Sequence, residues 1–179
     1  MKPARAAAAC ALFACCALGA QAQTVAKPDP FGDAMEYALP AGAAILALVH
    51  DDTEGLKGLG YTLVLSQGTT AILKPVIDAK RPDGTGEGFP SGHTSAVFAS
   101  AGFVRQRYGW QESVPFYVLA TATAWSRVNT HHHFAKDVVG GALIGEGSAM
   151  LVGHWMGPRT TASVGYGGGG AWVRVARVW

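Results

Sequence analysis

Three short polar clusters stand out in an otherwise apolar chain: Lys74 with Arg81 and Pro82, then Pro90-Ser91-Gly92-His93, then Ser126-Arg127 followed by His133 and Asp137. The middle cluster suggests an anion site on its own terms. Ser91 is a good helix N-cap, and a helix beginning at Gly92 directs free backbone N–H groups outward, where they attract negative charge. Glycine there lets the backbone approach a ligand closely; a routine helix start would look the same. Lys74 and Arg81 are seven residues apart, about two turns at 3.6 residues per turn, so one helix could present both charges on one face. Pro75 disturbs such a helix beside Lys74, and Pro82 ends it after Arg81.

His133 and Asp137 are four residues apart. If a helix begins near His133, the carboxylate lies over the same face as the imidazole. A hydrogen bond between them fixes the tautomer and leaves the free nitrogen a better nucleophile. The run His131-His132-His133 invites a metal reading. Consecutive helical residues point about 100° apart and cannot all reach one ion. In an extended loop His131 and His133 could join Asp137 around zinc, whereas three cationic side chains aimed at the same place argue for an anion.

Apolar stretches between polar breaks predict helices over residues 34–49, 59–79, 92–107, 114–127 and 134–155,. The connections, among them HDDTEGLKG and the Gly-rich KRPDGTGEGFPS, carry turn signals. Short connections imply antiparallel neighbours. The exit of the second helix, the start of the third and the junction of the fourth with the fifth then gather at one end, and the three clusters meet there. The expected fold is all-α: an antiparallel bundle of about five core helices, residues 23–156, followed by a C-terminal β-hairpin over 157–179 with a Gly-rich turn.

The clusters reproduce K-x6-R-P, P-S-G-H and S-R-x5-H-x3-D without a mismatch. In these motifs, and in its helix layout, the chain resembles the phosphatidic acid phosphatase type 2 / vanadium haloperoxidase superfamily, its bacterial phosphatase branch above all. The resemblance implies that His133 is the nucleophile that attacks phosphorus, that Asp137 orients it, and that His93 protonates the leaving oxygen and then activates water. It implies that Lys74, Arg81, Arg127, the Ser91 hydroxyl and the Gly92 N–H hold the phosphate oxygens. No metal ion or other cofactor is expected, since preorganised cations stabilise a transferring phosphoryl group; vanadate would bind as a phosphate mimic. A vanadium haloperoxidase is the nearest alternative, and the short chain favours the phosphatases.

Residues 1–22 have the pattern of a secretory signal: Lys2 and Arg5, an apolar run over 6–18, then small residues at Ala20 and Ala22,. All three cysteines fall inside it, which excludes cysteine catalysis and cysteine metal sites in the exported chain. Of 14 Lys and Arg, two lie in this leader, leaving 12 against 12 acidic residues. That neutral balance gives no sign of a nucleic-acid partner. The expected substrate is a phosphorylated lipid or a small phosphoester; a soluble non-specific acid phosphatase is one alternative, and a non-catalytic envelope protein another. Gln67 and Lys74 interrupt the second helix and Glu146 and His154 the fifth, and buried charge is costly in lipid. The preferred location is therefore a periplasmic domain resting on a membrane, ahead of an integral enzyme.

Overall fold

The computed structural model describes residues 24–157, 159–167 and 170–178; the expected export leader lies outside them. Five helices follow in order: α1 (Pro30–Val49), α2 (Thr53–Ile77), α3 (Gly92–Tyr108), α4 (Trp110–Asn129) and α5 (Ala135–Met156). Two antiparallel strands, β1 (Arg159–Gly167) and β2 (Gly170–Val178), form the expected hairpin in a register from Arg159 opposite Val178 to Gly167 opposite Gly170.

Caps explain where the helices start earlier than the apolar pattern predicts. The Asp29 carboxylate accepts from the Gly32 N–H at 2.9 Å, and Pro30 occupies the first helical position, where its fixed φ and missing N–H cost nothing. Asp52 caps α2 in the same way through the Gly55 N–H at 2.9 Å, so part of the expected loop before residue 59 is helix. Gly109, at φ 92°, alone separates α3 from α4. Pro75 does not break α2, which runs on to Ile77.

α3 is the hub, and each of the other four helices packs against it. Its sequence is rich in Ala, Ser and Gly, and among the described residues the largest wholly buried side chains are valines, threonines and similarly small residues. Small side chains let the helices approach closely. At the α3–α5 crossing a Cβ on Gly145 would collide with the Ser95 carbonyl and the Ala99 nitrogen, and one on Gly141 with the Ser91 carbonyl. Gly145→Ala is therefore expected to lower the thermal midpoint by several degrees, because overpacking costs about 1–3 kcal/mol and each kcal/mol is worth about 2–4 °C at this size. A melt unchanged to within about 1 °C would mean that the crossing is not close-packed.

Apart from a core that holds Leu39, Leu59, Phe103 and Tyr108, many of the large apolar residues point outward. Tyr37 and Ile45 on α1, Tyr61 and Val64 on α2, Val118 and Trp125 on α4, and Leu143 and Met150 on α5 are all exposed. Residues 37–49, 58–73 and 113–126 contain no Asp, Glu, Lys or Arg, and 138–153 contain only Glu146, whose carboxylate turns inward to Arg105 and Tyr117. Gln67 also turns inward, donating to the Gly92 carbonyl and to Ser95 Oγ at 3.2 Å. Lys74 lies at the site end of α2. Gln67, Lys74 and Glu146, which interrupt the apolar pattern in sequence, thus leave an uncharged outer belt along α1, α2, α4 and α5.

Candidate active site

At the end of the bundle where α1, α3 and α5 start and α2 and α4 finish, a cavity of about 290 Å³ is lined by Glu36, Gln67, Thr70, Lys74, Arg81, Gly92, His93, Arg127 and His133, among others. The three sequence clusters therefore meet in space. They do so by somewhat different routes from those the spacing suggested. α2 ends at Ile77, so Lys74 and Arg81 do not share a helix face. Arg81 instead comes from a loop tied by its own N–H to the Thr85 carbonyl at 2.7 Å, and Lys74 Nζ donates to the Glu87 carbonyl of that loop at 2.8 Å.

His133 precedes α5, held by its N–H on the Arg127 carbonyl at 3.2 Å. Asp137 occupies the third position of α5 and caps it by accepting from the Phe134 N–H at 2.9 Å. The His133–Asp137 pairing thus comes from a loop folding onto a helix start, not from two turns of one helix. His133 Nδ1 lies 3.6 Å from Asp137 Oδ2, with both side chains buried. This is longer than a hydrogen bond, and neither His133 Nδ1 nor Asp137 Oδ1 has a hydrogen-bond partner among the described residues. A small contraction on ligand binding would close the bond, as catalytic contacts commonly tighten in the complex. Burial lowers the His133 pKa below the usual histidine value, reinforced by Arg81 and Arg127 and opposed by Asp137. The balance favours the neutral imidazole.

Arg81 Nε and Arg127 Nε are also buried without a hydrogen-bond partner among the described residues. Such donors cost roughly 1–3 kcal/mol each when left unmade, and a phosphate in the cavity would supply acceptors. Burial likewise holds the Lys74 pKa below the usual lysine value, with Arg81 adding to the effect. Gly92 lines the cavity, as the sequence predicts. Ser91 is fully buried and caps α3, its hydroxyl engaged with the Thr94 N–H at 3.4 Å and the Thr94 hydroxyl at 3.1 Å.

The sequence reading missed the acidic face of α1. Asp29, Asp33 and Glu36 recur at helical spacing and face the site. Asp29 accepts from Ser126 Oγ at 2.7 Å and from Arg127 Nη1 at 3.2 Å. Asp33 accepts from Arg127 Nη1 at 2.8 Å and lies 3.1 Å from His93 Nε2, and Glu36 is also 3.1 Å from that nitrogen. The Asp29-Pro30 cap and first-position signal would have moved the helix start to residue 30, with Asp29 as its cap and Asp33 beside Glu36 on its first turns.

Comparison with known proteins matches this arrangement to a family. The model of the PAP2 superfamily matches residues 79–161, a stretch that holds every proposed site residue except Lys74. A lipid A 4′-phosphatase from Helicobacter pylori is 33% identical over 135 residues, which cover 69% of this chain and 68% of that protein. The chain belongs to the PAP2 superfamily. A lipid A 1-phosphatase from Porphyromonas gingivalis is 41% identical over 78 residues, 41% of this chain and 17% of that longer protein. The crystal structure of Aquifex aeolicus LpxE superposes with a TM-score of 0.55 over 70% of this chain and 87% of its own, at 20% identity, which shows a shared PAP2 fold. Within that fold, the three motif clusters and the acidic face of α1 surround a single cavity.

Proposed function

We propose that this phosphatase removes phosphate from a membrane-anchored lipid, of the lipid A type first, without a metal ion and through a phosphohistidine at His133. The observation that carries the reading is His133 itself: a buried imidazole on the cavity wall with Asp137 behind Nδ1, which leaves Nε2 for phosphorus. In the first step Nε2 attacks, the N–P bond forms, the P–O bond to the leaving group breaks, and His93 gives its proton to the departing oxygen. In the second step His93 takes a proton from water as the water oxygen attacks phosphorus and the N–P bond breaks. Lys74, Arg81, Arg127 and the Gly92 N–H hold the non-bridging oxygens, their charge taking the role a metal ion would play.

Two things support a lipid substrate. Two bacterial relatives carry lipid A phosphatase names. The uncharged belt, 13 to 16 residues deep on each outer helix, measures roughly 20–24 Å at 1.5 Å per residue, and an exposed apolar surface of that extent marks contact with lipid or protein. α1 is also, by length and composition, the one described helix long and apolar enough to cross a membrane. With the belt in lipid, the site end sits at the membrane surface, where phosphorylated headgroups lie.

The test is phosphate release from lipid A, phosphatidic acid, a prenyl pyrophosphate and p-nitrophenyl phosphate in detergent with excess chelator. The expected result is chelator-resistant release, fastest on a lipid, inhibited by vanadate, with an acid-labile, base-stable phosphoprotein trapped by rapid quenching. Release that chelator abolishes would overturn the metal-free mechanism. Preference for the nitrophenyl ester would point to a soluble-substrate phosphatase.

A further inference from the structure

We propose that Glu36 is a positioning residue for His93: beside the hydrogen bond from Asp33, its carboxylate sets a second negative charge against Nε2, so that Nδ1 delivers the proton to the leaving group. The assignment rests on the reading of His93 as the general acid. His93 stands in the first turn of α3 with Nε2 hydrogen-bonded to Asp33 Oδ1 at 3.1 Å and in ion-pair contact with Glu36 Oε2 at the same distance. The two carboxylates are not equivalent. Asp33 shares the same oxygen with Arg127 at 2.8 Å and is well exposed, whereas Glu36 lines the cavity, is only 23% exposed, and makes no other ion pair among the described residues. Charge on Asp33 is thus divided and screened, while charge on Glu36 is directed at the imidazole.

The chemistry needs such a partner. His93 is pressed toward its neutral form by burial first and by Arg127 from α4 second, and Glu36 and Asp33 from α1 oppose them. Lys74 from α2 and Arg81 from the following loop line the same cavity, beside the neutral ring of His133, so the other cations around His93 disfavour a further positive charge. A general acid in that field requires a carboxylate against its second nitrogen. The arrangement mirrors Asp137 behind His133, with each imidazole backed on one nitrogen and left free on the other. Protons move only between His93, the leaving oxygen and water.

The signs follow directly. Glu36→Gln removes one of the two groups that raise the His93 pKa, so His93 loses its proton at lower pH. The limb of kcat/KM that falls as pH rises should move to lower pH by about one unit, the size expected for loss of one opposite charge at this distance. The experiment measures kcat/KM against pH for wild type and Glu36→Gln on a lipid or alkyl phosphate and on p-nitrophenyl phosphate, whose phenolate departs with little need of a proton. The alkyl ester should show the shifted limb and a loss of about tenfold at neutral pH, with a several-fold smaller loss on the nitrophenyl ester. An unmoved limb, or equal losses on both substrates, would overturn the role of Glu36 alone. No release by the wild-type protein from either substrate would overturn the parent reading, and this one with it.

Discussion

Replacing His133 with alanine should reduce phosphate release to near the uncatalysed background, a loss on the order of 10⁶ in kcat if the residue forms the covalent bond. The size of the effect discriminates between roles. Removing a donor that merely stabilises charge commonly costs about 10²–10³, whereas removing the atom that bonds to phosphorus removes the pathway. His133 is buried and its side chain makes no hydrogen bond short enough to hold the fold together among the described residues, so the variant should remain folded and keep its melting point to within a few degrees. The space left by the ring is backed by Asp137 and faces the cavity. Added imidazole should enter it and restore a measurable fraction of turnover, releasing phosphoimidazole. A residual activity within about a hundredfold of wild type would exclude His133 as nucleophile and turn attention to direct attack by water.

The site was legible in the sequence where chemistry dictates residue type, and illegible where it depends on tertiary packing. Lys74, Arg81, Gly92, His93, Arg127 and His133 stand in the motifs that carry the family resemblance, and all line one cavity. Their routes there were not legible. Spacing of seven suggests a shared helix face for Lys74 and Arg81, yet Asp78, in a left-handed conformation at φ 42°, ends α2 between them. Asp29 and Asp33 escaped because the helix start was set by the apolar pattern, which begins after them, and Glu36 because its one-sided neighbours were then missing. The helical bundle was legible because five apolar segments with short connections admit few other arrangements. Which faces turn outward was not, since Gln67 and Glu146 interrupt the pattern in sequence but pair inward in the fold.

Arg127 should show a second large effect, with two separable parts. Its side chain is nearly buried, with Nη1 on Asp29 and Asp33 and Nε unpartnered among the described residues. Three cations, Lys74, Arg81 and Arg127, meet four carboxylates at this end, those of Asp29, Asp33, Glu36 and Asp137, so phosphate competes for a guanidinium already engaged. A planar fork can serve both sides at once, where a lysine ammonium cannot. Arg127→Lys is therefore expected to lower kcat/KM by about 10²–10³. Arg127→Ala should do the same and also destabilise the fold by about 3–5 kcal/mol, because it leaves the buried Asp29 carboxylate unpaired. Burial pushes the Asp29 pKa up, but Ser126, the Gly32 N–H and Arg127 together hold it below the usual carboxylate value. A depressed folded pKa contributes stability above the unfolded value of about 4, and that contribution is lost as pH falls through the folded value. The stability gap between wild type and Arg127→Ala should accordingly narrow as pH drops below about 4. The double variant Asp29→Asn/Arg127→Ala separates the two parts: removing the orphaned charge should return much of the lost stability and none of the lost activity. Recovery of activity along with stability would mean that Arg127 acts on the fold alone, and the anion would then be held by Lys74, Arg81 and the start of α3.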